Sequence, residues 1–407
     1  MGAHKTLINR LEQSRQAALA HLWQVLPAMR LVGGCVRDLL TDRPIADIDL
    51  ATPEPPGQVM ECLRAHGVHV VATGLQHGTV TAVLDGAPYE ITTLRCDMET
   101  DGRHAVVSWT QDWRTDALRR DFTINAMSVD RAGVLYDYFG GQADLAAGRV
   151  RFVGQPALRI KEDALRILRF FRFYGRYGSG APDPQAVQAI TCGVAMLDGL
   201  SVERIWMELR RILVGSNVAA IMRLMDSTGV LARILPEGYT LERCVRLLDY
   251  GAPAHALLRL AGLSAHTAAV ARRLKLSRAE TGQIAALSRP APLPDMTMSE
   301  TMLRRLVAEE PQEVLAGRIW LHQTAQPRTP EENAAFAQLR GRVCGITVPV
   351  FPIAGRDVLA MGGQAGPEVG RIVCLVRQWW LEGGCYADAQ ACRTQIARYL
   401  RTKAAQS

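Results

Sequence analysis

Between residues 29 and 150 the apolar positions come in short runs. Examples are MRLVGG, ADIDLAT, HVVAT, GTVTAVLD, YEITTLR and VLYDYF, separated by Gly-rich or Asp-rich turns. Runs of this length, bounded in this way, predict strands. A helix is predicted after Gly34 and another over Pro56 to His66, so this stretch reads as a mixed α/β domain around one sheet. From about Ala157 the pattern changes. ALRIKEDALRILRFFRFYGRYG and SVERIWMELRRILVG repeat their apolar residues every 3.6 positions, which predicts helices. The helical pattern continues to the end, with breaks at PEGY, RPAPLPD and TVPVFPIAG. The reading is an α/β head (1–150), a helical neck (151–215) and a helical body and tail (216–407).

Composition narrows the class. At 407 residues the chain is long enough for two to four domains. Hydrophobic residues at 48% and charged residues at 21% are ordinary for a globular protein. No apolar run is long enough to span a bilayer, and residues 1–30 have helical spacing with scattered charges rather than a signal peptide. The nine cysteines form no C-x-x-C pair. A disulfide framework and a structural zinc site are therefore not expected, and a reducing cytoplasm is.

The net charge of +7 says less than its placement. Eight basic residues lie between Arg149 and Arg176, against only Glu162 and Asp163. That local excess points to a polyanion partner, although most charge runs are solvated helix faces.

Three constellations carry candidate chemistry. The first begins at Leu31-Val32-Gly33-Gly34-Cys35-Val36-Arg37-Asp38, which reads as strand, Gly-Gly turn and helix. Glycines let the backbone approach a phosphate, and the helix start offers free N–H groups with Arg37 beside them. Thirteen residues beyond Gly34 stands Asp47-Ile48-Asp49. On a strand, residues i and i+2 share a face, so the two carboxylates make a hard oxygen site suited to Mg²⁺. Phosphate turn and metal site together point to a nucleoside triphosphate.

The second constellation is Arg119-Arg120-Asp121-Phe122-Thr123-Ile124-Asn125, in which Arg120 can bind phosphate and Asp121 or Asn125 a ribose hydroxyl. The bland alternative is a surface Arg–Asp pair. The third is Lys161 to Arg172. As one continuous helix it places Ala164, Ile167, Leu168 and Phe171 on an apolar face, with Arg166, Arg169 and Arg172 opposite. That stripe is either an anion rail or a solvated face, and Asp163–Arg166 is either functional or an i,i+3 salt bridge.

In this order, GGCVRD with DID, RRDFTINAM and EDALRILRFFR resemble the class II tRNA nucleotidyltransferase and bacterial poly(A) polymerase family. The similarity covers about residues 31–213, with a looser match from Pro352 to Gly370. The resemblance implies template-independent addition of C, C and A to the 3′ end of tRNA, using CTP and ATP and releasing pyrophosphate. It implies that Asp47 and Asp49 bind catalytic metal ions, with Glu90 a weaker third carboxylate. Gly34 and Arg37 would contact the triphosphate, and Arg120 the nucleotide, with Asp121 and Asn125 on the ribose side. Asp163 and Arg166 would read the base while Arg169 and Arg172 hold phosphates. Residues 216–407 would be the tRNA-binding region.

Base choice fits such a pair. Cytosine and adenine each present an amine donor beside a ring-nitrogen acceptor, which a carboxylate and a guanidinium complement. Uracil and guanine present the reverse and leave both charges mispaired. A polar loop from Arg95 to Trp109 corresponds to a segment that helps family members change from CTP to ATP, and its full length favours CCA over CC addition. Alternatives are a poly(A) polymerase, a CC-adding enzyme, and, outside enzymes, an RNA-binding protein with an inactive head. No His-Asp pair marks an appended phosphohydrolase. Oligomeric state is not readable from the chain.

Overall fold

The computed structural model describes residues 5–45, 47–75, 78–100, 105–290 and 292–404. They form two compact units, Met1–Pro236 and Glu237–Ser407.

The first unit contains β1 (Arg30–Val32), β2 (Asp49–Thr52), β3 (His69–Gly74), β4 (Thr79–Leu84), β5 (Ala87–Thr93), β6 (Arg95–Thr100), β7 (Ala105–Trp109), β8 (Ser128–Val129) and β9 (Leu135–Tyr136). Seven of these make one mixed sheet in the order β3-β4-β5-β2-β1-β8-β9, and β6 and β7 pair separately. β2 and β5 run parallel, with Asp49 opposite Glu90. The two flanking pairings, β1–β2 and β4–β5, are antiparallel.

Alternation from Asp47 into β2 orients the sheet. Ile48 and Leu50 are buried, while Asp47 and Asp49 are exposed. The buried set joins a core with α1 (Lys5–Ile8), α2 (Gln13–Val25), α3 (Gly34–Leu40) and α4 (Pro56–Ala65). Leu19, Leu22, Val36, Val59 and Leu63 from these helices pack with Leu31, Leu50, Val80 and Ile91 from the strands. The other face carries Val32, Ala51 and Leu94, covered by Trp113 of α5 (Trp113–Leu118). Asp49 shares that second face with Ala51, so period-2 alternation turns its carboxylate away from the core.

Helices α6 (Gly141–Ala146), α7 (Pro156–Glu162), α8 (Leu165–Tyr177), α9 (Pro184–Gly193), α10 (Val202–Leu213), α11 (Val218–Ser227) and α12 (Val230–Ile234) complete the unit. The continuous helix read over Lys161 to Arg172 is not what forms. α7 ends at Glu162, Asp163 is extended at φ −153° and ψ 106°, and α8 begins at Leu165. The Asp163 carboxylate accepts the Leu165 N–H at 3.1 Å, an alternative to helical pairing that short acidic side chains offer. In α8, Leu165, Ile167, Leu168, Phe170, Phe171, Phe173 and Tyr177 are buried, a wider face than the four positions predicted, of which Ala164 is only half-buried. Phe170 stacks on Phe152 at 5.9 Å, and Phe152 meets Phe122 at 5.0 Å. This cluster fastens α8 to the segment after Arg120, and each such ring contributes about 1.5–3 kcal/mol by burial.

The second unit is helical among its described residues, from Leu241–Asp249 to Ala389–Ala404. Capping boxes at Ser277 with Glu280 and at Thr329 with Glu332 start two of its helices. One core joins Leu303, Leu315, Ile319 and Leu339; another joins Val358, Ile372, Val376, Trp380 and Ile396. Among the described residues, no helix is long and apolar enough to cross a membrane. The nine cysteines are free.

Candidate active site

All eleven predicted site residues line one cavity of about 710 Å³ in the first unit: Gly34, Arg37, Asp47, Asp49, Arg120, Asp121, Asn125, Asp163, Arg166, Arg169 and Arg172. They come from α3, the start of β2 and the residues just before it, the segment after α5, the α7–α8 junction and α8.

The turn is built on Gly33, whose φ is +69°. A Cβ there would lie 2.8 Å from Arg120 Nη1. The glycine requirement therefore falls on Gly33 rather than on Gly34, where a Cβ would meet only Arg37 Nη2 at an ordinary 3.7 Å. Arg37, one turn into α3, is buried and donates to Asp38 at 3.0 Å and to the Asn125 side-chain oxygen. Its guanidinium lies 4.3 Å from the Tyr177 ring centre.

Asp49 opens β2 and Asp47 stands two residues before it, both exposed on the same side. Burial, then the charge of Asp47, push the Asp49 carboxyl upward, while Arg120 pulls it down. Two carboxylates exposed on one side offer hard oxygen donors of the kind that a divalent cation takes. Glu90 stands beside Asp49 in register on β5. Among the described residues no three His, Cys, Asp or Glu side chains gather closely enough to form a metal cluster unaided.

Arg120, Asp121 and Asn125 belong to one buried network. Arg120 donates to Asp116 at 3.3 Å and to the Asn125 carbonyl at 3.4 Å. Asp121 accepts from the Phe122 N–H at 2.8 Å, the Asn125 amide at 3.0 Å and Arg169 Nε at 2.8 Å. Burial raises the Asp121 carboxyl, but Arg169 and these hydrogen bonds outweigh it and hold the pKa below the usual range. The run Arg37–Asn125–Asp121–Arg169 thus crosses the cavity wall as a single hydrogen-bonded chain, and the surface-pair reading of Arg120-Asp121 does not describe it.

Asp163 and Arg166 both face the cavity, joined through the backbone, where the Arg166 N–H donates to the Asp163 carbonyl at 3.0 Å, while their side chains bond other partners. The extended backbone at Asp163 aims its carboxylate at Arg204 of α10, 2.8 Å away. Arg166 instead bonds Glu162 at 2.5 Å, the Arg159 carbonyl at 3.0 Å and the Arg119 carbonyl at 2.8 Å. Arg172 meets Glu208 of α10 at 2.8 Å. The arginine stripe is therefore a partnered cavity wall, not a solvated face.

Residues 29–151 match the family model described as "Poly A polymerase head domain", and residues 181–240 match "Probable RNA and SrmB- binding site of polymerase A". The human mitochondrial CCA tRNA nucleotidyltransferase 1 is 36% identical over 374 residues, 88% of this chain and 83% of that protein. The chain belongs to the CCA tRNA nucleotidyltransferase family. A second family member, the CCA-adding enzyme of Geobacillus sp. (strain WCH70), is 41% identical over 201 residues, about half of each chain. The solved Bacillus stearothermophilus CCA-adding enzyme in complex with CTP aligns over 98% of this chain and 100% of its own, with TM-score 0.70 and 26% identity. The Thermotoga maritima enzyme complexed with tRNA has the same fold, at TM-score 0.65 and 21% identity. Like its relatives, this chain is a nucleotidyltransferase, and the family is metal-dependent. The vertebrate relatives are mitochondrial, so membership does not fix the cytoplasmic compartment expected from the cysteines.

Residues to which sequence reasoning gave no role include Arg95, Arg119 and Arg204, all of which line the same cavity. Arg119 was legible as the first half of the RR pair. Arg204 lies 41 residues beyond Asp163, and nothing in its local pattern marks it.

Proposed function

We propose that this chain adds C, C and A to the 3′ end of tRNA from CTP and ATP, without a nucleic-acid template, releasing pyrophosphate. The observation that carries the reading is the shared cavity. Paired carboxylates, a phosphate-type turn, an arginine wall and the Asp163 carboxylate meet there.

The 3′-hydroxyl of the RNA attacks the α-phosphate, the bond to the β-phosphate breaks, and pyrophosphate leaves with the bonding electrons. Asp47 and Asp49 would hold Mg²⁺. This hard ion suits their oxygen donors and, when bound, stabilises charge on the attacking and leaving oxygens. Gly34 and Arg37 take the triphosphate, and Arg120, Arg169 and Arg172 oppose its negative charge. Asn125 and Asp121 orient Arg37 and Arg169 and border the ribose. Asp163 accepts from the exocyclic amine of C or A, and Arg166 donates to the ring nitrogen. Positioning of this kind accounts for most of the catalysis such a transfer needs. The neck (151–215) reads the nucleotide, and residues 216–407 bind the tRNA body.

The test incubates the protein with tRNA lacking its 3′ end and each NTP singly and in pairs. Two cytidines with CTP, one further adenosine when ATP is added, and nothing with UTP or GTP support the reading. Long adenosine tails would make it a poly(A) polymerase, products ending at CC a CC-adding enzyme, and no turnover an RNA-binding protein.

A further inference from the structure

Next to the active site the first unit has a second, partly open cavity of about 570 Å³. Five arginines line it: Arg37, Arg43, Arg172, Arg176 and Arg211. Arg37, Arg172 and Phe173 line both cavities, so the two spaces share a wall at the triphosphate end of the site. Among the described residues no Asp or Glu lines the second one.

The charges of this wall are incompletely neutralised. Arg172 and Arg211 share Glu208, at 2.8 and 3.4 Å, and Arg37 has Asp38 at 3.0 Å. Arg43 donates to the Arg176 carbonyl at 3.1 Å and lies 4.6 Å from the Tyr177 ring centre. Arg176, which is exposed, lies 5.3 Å from the same ring. Five guanidinium groups therefore face two carboxylates. Burial lowers the pKa of Arg172 in spite of Glu208, which shows the cost of keeping these cations partly dry.

We propose that this second cavity is a pyrophosphate seat, which takes the leaving group as it departs across the shared Arg37–Arg172 wall. The inference rests on the reading that Arg37 holds the triphosphate. Pyrophosphate is compact, multiply charged and rich in acceptor oxygens, and planar guanidinium forks match phosphate geometry. Product passing over arginines that already hold its β- and γ-phosphates needs no newly assembled site. An RNA phosphodiester offers the same phosphate chemistry with a single charge, and the test separates the two sources.

The experiment uses the full-length enzyme and inorganic pyrophosphate, with binding followed by titration calorimetry in the presence and absence of CTP. The wild type is expected to show two pyrophosphate sites, one displaced by CTP and one not. In Arg43→Gln/Arg176→Gln the CTP-insensitive site weakens at least tenfold, product inhibition by pyrophosphate weakens in parallel, and KM for CTP is unchanged. Arg176→Glu, a change at an exposed side chain, has the same effect should the double variant fold poorly. A single pyrophosphate site in the wild type, or a second site unaffected by these changes, overturns the proposal. So does a rise in KM for tRNA with pyrophosphate binding intact, which assigns the cavity to RNA phosphate. If CTP displaces neither site, the triphosphate reading of Arg37 fails first and takes the inference with it.

Discussion

Arg204 of α10 reaches the carboxylate of Asp163 across 2.8 Å, from 41 positions further along the chain. The side chains are only 28% and 26% exposed. Asp163 is thereby held as an acceptor at the cavity wall while Arg166 is held separately by Glu162. Discrimination against UTP and GTP should then depend on both residues in unequal measure. Asp163→Ala removes the acceptor and is expected to relax selectivity by about 1–3 kcal/mol, roughly five- to 150-fold. Arg204→Gln keeps the acceptor but loosens it, for about tenfold. Values of kcat/KM for the four NTPs decide it, and unchanged selectivity in both variants would remove the pair from base reading.

A second outcome concerns the metal. Asp47, just before β2, and Asp49, its first residue, are exposed, and the core contacts there are made by Ile48 and Leu50. Asp47→Asn and Asp49→Asn should therefore melt like the wild type. Losing the ion that stabilises the transferring phosphate is worth several kcal/mol, so turnover should fall about a thousandfold or more. Mg²⁺ titration of turnover alongside a thermal melt checks both halves, and near-normal rates in either variant would refute the assignment.

These carboxylates were legible because a strand's period of two is visible in three letters, with Ile48 between them. The six strand runs read from the sequence also form, each as part of the main sheet. The β6–β7 hairpin was not legible, because RCDMET is too polar to look like a strand and its pairing is local. The break at Asp163 was hidden for a different reason. Apolar periodicity runs straight through it, and the two groups that hold the Asp163 carboxylate, the Leu165 N–H and Arg204 from 41 positions on, leave no mark on that periodicity.

Gly33→Ala tests the turn. The substitution puts a side chain at φ +69°, which costs about 1–2 kcal/mol, and brings its Cβ to 2.8 Å from Arg120 Nη1. Arg120 must shift, so KM for both nucleotides should rise together with the loss of stability. Gly34→Ala, with no contact closer than 3.7 Å, should be nearly silent in stability. Equal effects at the two positions would contradict the geometry.

Acid sensitivity should pass through Asp121. Its carboxyl is held below the ordinary value, so the unfolded chain binds its proton first as pH falls. The stabilisation is complete above the unfolded pKa near 3.9 and disappears as pH drops through the folded one, placing the window at and below about pH 4. Asp121→Asn leaves Arg169 unpaired beside a buried amide, at a cost of about 3 kcal/mol at pH 7. Urea midpoints at pH 7 and pH 3 should show a smaller gap between variant and wild type at pH 3, and a constant gap would exclude this ionisation as the source.

The hairpin supplies the last test. β6 and β7 pair from Arg95 with Trp109 out to Thr100 with Ala105, and residues 101–104 lie outside the described residues. Its base is tied to the site, since Arg95 lines the cavity and its N–H donates to Asp116 at 3.3 Å, the same carboxylate that holds Arg120. A hairpin anchored there can transmit its own movement to the arginines that face the nucleotide. Deleting Met98 to Ala105 preserves the two innermost pairs, Arg95 with Trp109 and Cys96 with Ser108. The anchoring should therefore persist, and two cytidine additions with it. The final adenosine should be lost, because the larger purine needs the adjustment that the outer hairpin provides. Sequencing the tRNA 3′ ends made by the wild type and the deletion reads this directly, and completed CCA ends from the deletion would show that the hairpin has no part in the change of nucleotide.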